Sequence, residues 1–421
     1  MKQVLYLTFV LWFFLPTPAH AYLDPGTGNA LVYVVVSFFG ALLFSLKGLF
    51  YKLLGKSGAL ADEHADRAKW HKIVIFSEGK IYWGTFRPIV EELIRREVPF
   101  SYYTLDIGDP CLTISHPNVN NRYVGNGNRA FAKLGHLRAE VVLSTTPNIG
   151  TPGYPIPRSA DIKKLVYVFH AALDDMAFHH RHSLDCYDAV LLMGAFQEPI
   201  IRELEQLRSL PTKEVYPAGL PYMDILSKKQ VAQAATDRTV LFAPSWGVSS
   251  CLRRYGSQTV ANLAKAGFTV ILRPHPYSWQ VEPDFLATVK QELAAYSNVI
   301  WDTAVDSTES MQKAALMVSD VSGVRVDFLL LQQKPVITFA MPMDDAGDLE
   351  IIDLKESWTE RELKKFTRTL GQEEIGRIAQ VADELINSPS NKDIAAFREE
   401  NIYNWGQSAP AVVDFLLKLG G

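Results

Sequence analysis

The sequence predicts an α/β protein: two tandem Rossmann-like, doubly wound units behind an amino-terminal membrane segment. Three observations carry this. Short continuous apolar runs alternate with helical stretches from residue 70 to about 340, the signature of parallel strands covered on both faces. The alternation occurs twice, separated by the polar stretch Ser227–Arg238. Ahead of it, the 21 residues from Gly26 to Leu46 carry no charge, and about 20 such residues cross a hydrocarbon core as a helix.

The start of the chain pairs Lys2 with the apolar run Val4–Leu15 and then Ala19-His20-Ala21. A charged start, a short apolar core and an A-x-A site describe a secretory signal peptide over residues 1–21, or an uncleaved first membrane helix. The second segment, residues 26–56, ends in Lys47, Lys52 and Lys56 with no acid before Asp62. Cations on that flank favour a cytoplasmic carboxyl side, and the interleaved Leu49, Phe50, Tyr51, Leu53 and Leu54 suit an interfacial extension. The expected location is therefore the inner (cytoplasmic) membrane, with everything after Lys47 facing the cytoplasm.

The first unit, residues 70–226, has expected strands at Ile73–Phe76, Phe100–Leu105, Val141–Leu143, Leu165–Phe169 and Ala189–Met193. Helices are expected at Thr85–Arg96 and Gln197–Leu207. The second unit, residues 236–421, has expected strands at Thr239–Ala243, Thr269–Arg273, Val299–Trp301, Leu316–Ser319 and Pro335–Phe339. After Met343 the pattern predicts only helices: Thr359–Leu370, Gln372–Ile386, Ile394–Glu400 and Ala409–Leu419. Two such units with a cleft between them describe the GT-B architecture of nucleotide-dependent transferases.

Composition narrows the function. The 42 basic and 46 acidic residues give a net charge of −4, which argues against a nucleic-acid binder. The 26 glycines and 23 prolines exclude a collagen-like chain. Cys111, Cys186 and Cys251 are odd in number and far apart, so neither a disulfide framework nor a Cys-x-x-Cys metal site is expected.

In doubly wound sheets ligands bind beyond the carboxyl ends of the strands, so polar residues directly after strands matter most. Asp320-Val-Ser-Gly323 follows one strand and opens a helix. Its free N–H groups, the Ser322 hydroxyl and a close backbone approach at Gly323 suit a phosphate, while capping by Asp320 or Ser322 is the structural alternative. Asp327 either points back toward a ribose or faces solvent. Arg273-Pro-His-Pro276 holds His275 between two prolines beyond another strand, placed to donate to phosphate or to sit as a surface histidine. Ser245 and Gly247 in Ala243-Pro-Ser-Trp-Gly247 are candidates to line the cleft. His170 ends the strand Leu165–Phe169, a position for a general base or for a buried structural histidine. Adjacent histidines in His179-His-Arg-His182 do not share a helix face, so no metal site is read there. Gly125-Asn-Gly-Asn-Arg-Ala130 fits G-x-G-x-x-A, but lacks a good preceding strand and an acid about 20 residues on, and is read as a loop. No cofactor is implied.

These stretches together resemble the CDP-glycerol glycerophosphotransferase family, which includes teichoic-acid primases and polymerases, over roughly residues 160–340. Leu241-Phe-Ala-Pro-Ser-Trp246 is similar to the family's apolar-Ala-Pro-Thr-Trp segment and Arg273-Pro-His-Pro276 to its Arg-x-His-Pro. Val318-Ser-Asp-Val-Ser-Gly323, with Asp327-Phe328 and Lys334-Pro335, is similar to its Thr-Asp-Tyr-Ser-Ser…Asp-Phe…Lys-Pro. Gly219-Leu-Pro221 with Asp224 matches a family turn in which Tyr222 replaces Arg. His170 matches the histidine of Trp-His-Gly, here flanked by Phe169 and Ala171. The Tyr22-Leu-Asp-Pro-Gly-Thr-Gly28 stretch is similar to short bacterial membrane proteins. The resemblance implies a CDP-linked polyol donor, a lipid-linked or cell-surface glycan acceptor, His170 as base, and His275 assisting at the diphosphate. It also implies phosphate binding by the Ser322 turn, with Arg273 and Asp327 in support. Two rival expectations remain. One is a GT-B glycosyltransferase or UDP-sugar epimerase-like enzyme, and the other a non-catalytic membrane-anchored binding protein.

Overall fold

The computed structural model describes residues 70–172, 182–229, 238–304, 307–341, 358–387 and 391–420. The leader at 1–21, the membrane helix at 26–56 and His179–Arg181 lie outside them. Among the described residues no helix is long and apolar enough to cross a membrane.

The first sheet contains β1 (His71–Ser77), β2 (Phe100–Thr104), β3 (Val119–Tyr123), β4 (Ala139–Ser144), β5 (Ile162–Val168), β6 (Ala189–Leu192) and β7 (Glu214–Pro217). All pairs are parallel, in the order β3-β2-β1-β4-β5-β6-β7. The second contains β8 (Thr239–Ala243), β9 (Thr269–Leu272), β10 (Val299–Trp301), β11 (Leu316–Ser319), β12 (Val336–Phe339) and β13 (Thr367–Leu370). It is also parallel, in the order β10-β9-β8-β11-β12-β13. Each order reverses once, between β1 and β4 and between β8 and β11, and each reversal opens a crevice at the carboxyl edge.

Helices cover the faces. In the first half they are α1 (Trp83–Arg95), α2 (Gly127–Leu134), α3 (Gln197–Arg208) and α4 (Pro221–Lys228). Then come α5 (Cys251–Tyr255), α6 (Gln258–Lys265), α7 (Ser278–Val281), α8 (Pro283–Glu292), α9 (Thr308–Lys313) and α10 (Val324–Gln332). The chain continues with α11 (Trp358–Leu363), α12 (Ile378–Ile386), α13 (Asn391–Asn401) and α14 (Ser408–Gly420). In α1, Phe86, Ile89, Val90 and Leu93 recur at helical spacing and are fully buried, giving the helix one apolar stripe for the sheet.

Four expectations change. Thr359–Leu370 is not one helix: α11 ends at Leu363 and Thr367–Leu370 is the edge strand β13, paired to β12. Two threonines in four residues favour the strand there. The polar Val119-Asn-Asn-Arg-Tyr123 and Glu214–Pro217 are also edge strands. The Gly125–Ala130 stretch does follow a strand, β3, and opens α2, with Gly125 and Gly127 at φ 102° and 60°.

The fourth concerns the carboxyl terminus, expected with residues 236–421 in the second unit. Instead α14 returns to the first sheet. Val412, Val413, Phe415 and Leu416 are buried in one core with Ile73, Ile75 and Phe86, and Phe415 stacks on Tyr216 with centroids 4.7 Å apart. The Asp224 carboxylate accepts the Ser408 and Ala409 N–H groups at 2.9 and 2.7 Å, capping α14 from α4. Gly219 makes the approach possible. Its φ is +88°, and a Cβ there would lie 2.2 Å from the Tyr403 carbonyl oxygen. The Gly219…Asp224 motif thus serves the return of the carboxyl terminus.

Candidate functional site

The second sheet's crevice is organised by Asp320, fully buried directly after β11. Its carboxylate accepts the Ser245 N–H at 3.0 Å, the Cys251 N–H at 2.7 Å and the Ser322 N–H at 3.3 Å. One side chain therefore ties the loop after β8, the start of α5 and the loop before α10. Asp320 thereby brings Ser245 and Ser322 to one turn. The Ser322 hydroxyl accepts only a long contact, 3.5 Å, from the Val324 N–H, and Gly323 caps α10 with no side-chain bond.

His275 stands beside this turn, close enough to feel the Asp320 charge. Its Nδ1 accepts the Tyr277 backbone N–H at 3.1 Å. The neutral ring therefore carries its proton on Nε2 and is a hydrogen-bond donor at that atom. Burial lowers its pKa below the usual 6.5, opposed in part by Asp320, so the neutral donor prevails near pH 7.

Arg273 and Asp327 are placed elsewhere. Arg273 forms a largely buried ion pair with Asp302, Nη1 to Oδ2 2.6 Å, and Asp302 also accepts from the Ser310 hydroxyl and the Ala304 N–H. Arg273 thereby fixes the loop after β9 to that after β10. The Asp327 carboxylate accepts the Tyr222 hydroxyl at 2.6 Å, joining α10 to α4 across the seam between the sheets. Tyr222 stands where the family that the sequence resembles has Arg.

Burial in this seam pushes the Asp327 carboxyl up to about 7, while the bond from Tyr222 pulls it down. The unfolded chain releases this proton near pH 4, so the folded state holds more protons between pH 4 and 7. The contribution to stability is full below pH 4 and is lost as pH rises through 7. Wild type should therefore lose on the order of 1–3 kcal/mol relative to Asp327→Asn between pH 4 and 8. Denaturation curves at both pH values check this, and a difference that does not change with pH contradicts it.

At the first sheet, His170 follows β5 by two residues. Its Nδ1 lies 2.7 Å from the Thr145 hydroxyl, directly after β4. The hydroxyl can accept from Nδ1–H or donate to Nδ1; in the tautomer with Nδ1–H donating, Nε2 carries the lone pair and is the basic position. The Tyr82 ring meets the imidazole edge-on, centroids 5.0 Å apart. Burial and the Glu78 carboxyl push the Tyr82 phenol up to about 12. Glu78, Thr145 and Tyr82 were not singled out in the sequence. The only signal was position, since Glu78 and Thr145 directly follow apolar strands. Among the described residues no group of three or more His, Cys, Asp or Glu is arranged to hold a metal, and His182 pairs with Asp185 at 2.6 Å.

Solved structures share this architecture. A histidine-to-asparagine variant of the wall teichoic acid polymerase TagF, soaked with CDPG, matches with a TM-score of 0.53 at 15% identity, over 91% of this chain and 98% of that one. UDP-GlcNAc 2-epimerase from Neisseria meningitidis, bound to UDP-GlcNAc, matches at 0.54 and 15%, over 82% and 99%. A glycosyltransferase from Rickettsia africae matches at 0.52 and 10%, over 82% and 98%. No family model and no curated protein matches the chain. What is shared at these identities is the fold, two Rossmann-like units of the GT-B kind. The chain shares this two-unit architecture with the teichoic acid polymerase and with the epimerase and glycosyltransferase alike.

Proposed function

We propose that this chain is a transferase that moves a phosphopolyol, glycerol phosphate foremost, from a CDP-linked donor to a hydroxyl of a lipid-linked or cell-surface glycan. The observation that carries the reading is the placing of two oriented histidines, one just beyond a carboxyl strand end of each sheet. His170, two residues past β5, is held at Nδ1 by the Thr145 hydroxyl and is assigned the basic Nε2, while His275, whose Nδ1 accepts the Tyr277 N–H, carries its proton on Nε2 when neutral.

In the step we infer, His170 removes the acceptor proton as that oxygen attacks the β-phosphorus. The bond from the β-phosphorus to the bridging oxygen breaks, and cytidine monophosphate leaves with that oxygen. His275 Nε2–H, the Ser322 hydroxyl and the N–H groups opening α10 stabilise the charge that develops on the phosphates, the kind of interaction that is usually the largest catalytic contribution. The proton on His170 passes to solvent as product departs.

The experiment is a donor screen with purified protein. Release of CMP from CDP-glycerol, with none of UDP from UDP-GlcNAc, is expected. The reverse selectivity would establish the nucleotide-sugar reading, and binding of neither nucleotide would leave a non-catalytic protein. The uncharged span and the lysines at 47, 52 and 56 support action at the inner face of a bacterial membrane. An alkaline phosphatase fusion after Lys72 should then be inactive.

A further inference from the structure

The first sheet reverses its order between β1 and β4. The residue directly after β1 is Glu78, and Thr145 and Thr146 directly follow β4. Thr145 is engaged by His170. Glu78 and Thr146 remain, at the point of the sheet where doubly wound folds take their ligands.

Both are held rigidly. The Ser77 hydroxyl accepts the Gly79 N–H at 3.1 Å, and the Asp106 carboxylate accepts the Lys80 N–H at 3.2 Å. Gly79 has φ +157°, and a Cβ there would lie 2.8 Å from Cβ of Asp106, so the turn presenting Glu78 admits no side chain at its next position. The Tyr187 hydroxyl donates to the Thr146 carbonyl and fixes the other loop.

The hydrogen bonding of this crevice is incomplete. Thr146 is fully buried, and its hydroxyl makes no well-formed bond within the protein. The group it faces is the Glu78 carboxyl, which it steadies in the charged form against a burial that raises its pKa. Two residues on, Asn148 sits in the left-handed region at φ 65°, and its Oδ1 is also buried without a partner. Buried polar atoms are almost always satisfied; the Thr146 hydroxyl has only the Glu78 carboxyl to face and Asn148 Oδ1 has no partner among the described residues, so this loop at the switch point keeps hydrogen-bonding capacity for a ligand. Tyr82 and Tyr154 lie within the field of Glu78, and both phenols are pushed up by burial and by that carboxyl. Tyr82 is also the ring against His170, so this crevice and the base share a wall.

Resting on the transfer reading above, we propose that Glu78, Tyr82, Thr146 and Tyr154 form the acceptor subsite. It takes an uncharged polyhydroxyl terminus, a polyol or a sugar, rather than a phosphorylated one. Adjacent hydroxyls of such a group can donate to the Glu78 carboxyl and the Thr146 oxygen while accepting from the tyrosine O–H groups. A phosphate monoester would set its negative charge against Glu78.

Ligand-observed NMR by saturation transfer tests this without requiring turnover. The full chain is presented with glycerol, N-acetylglucosamine or glycerol 3-phosphate, and CDP binding is measured separately by calorimetry. Wild type should bind glycerol or N-acetylglucosamine. Glu78→Gln should weaken that binding about tenfold, and Tyr154→Phe in the same direction, with CDP affinity kept within about twofold. The subsite is overturned if neither neutral probe binds wild type, or if both bind folded Glu78→Gln and Tyr154→Phe unchanged. Tighter binding of glycerol 3-phosphate than of glycerol overturns the neutral class. If polyol binding depends on Glu78 but wild type binds no CDP, the transfer reading falls and the subsite stands.

Discussion

Replacing His170 with alanine is expected to lower phosphopolyol transfer by about 10²–10⁴-fold, the usual contribution of a positioned general base. CDP affinity should stay within about twofold, because a base acts on the acceptor and adds little to ground-state donor binding. The imidazole has a defined orientation here, with Nδ1 on the Thr145 hydroxyl at 2.7 Å and one edge against Tyr82. Thr145→Val removes the hydroxyl that holds Nδ1 and orients the ring, and should lower turnover with little change in acceptor KM. His275→Ala is expected to differ by weakening CDP binding itself, since the proposed step has its Nε2–H meet the phosphates in the ground state. Near-wild-type transfer by folded His170→Ala would remove the base assignment.

Asp320→Ala is expected to cost about 3–5 kcal/mol of stability, because it leaves several buried N–H groups without their charged acceptor. Ser245, Cys251 and Ser322 all donate to that one carboxylate. They sit on segments that come together only through the β8–β11 pairing. The donor turn should lose its shape with the bond set, so CDP binding should fall in parallel. Asp320→Asn keeps the volume but turns an amide N–H₂ toward N–H donors, and should recover only part of the loss. Urea denaturation and CDP titration on the same samples check this. Stability within about 1 kcal/mol of wild type, an ordinary surface effect, would show that Asp320 does not organise the site.

Much of this architecture can be read from the sequence because its interior strands are buried on both faces. Val166, Val168, Val240 and Leu241 are fully buried, and such strands appear as unbroken apolar runs. The edge strands β3 and β7 each have a free flank and carry Asn120, Asn121, Arg122 and Glu214, so polarity concealed them. β13 was masked by the charged helical sequence on either side. The return of α14 to the first sheet depends on Gly219 and Asp224, whose partners lie some 180 residues further along the chain.

The site divides in the same way. His170, His275 and Ser322 stand out because each follows an apolar strand closely. Arg273 follows β9 directly and Asp327 lies within α10, yet their partners, Asp302 and Tyr222, come from other elements, and only folding reveals that pairing. Glu78 before Gly79 reads locally as an ordinary turn. Its position opposite Thr146 appears only when β4, more than 60 residues later, is laid beside β1.

The central claim is that one donor diphosphate lies between a base on the first sheet and a proton donor on the second. A crystal structure of the protein with CDP bound tests it most directly. The account predicts the diphosphate within hydrogen-bond distance of His275 Nε2 and the Ser322–Gly323 turn, with its β-phosphate turned toward His170. CDP bound away from that turn, or with its β-phosphate facing away from His170, would contradict it.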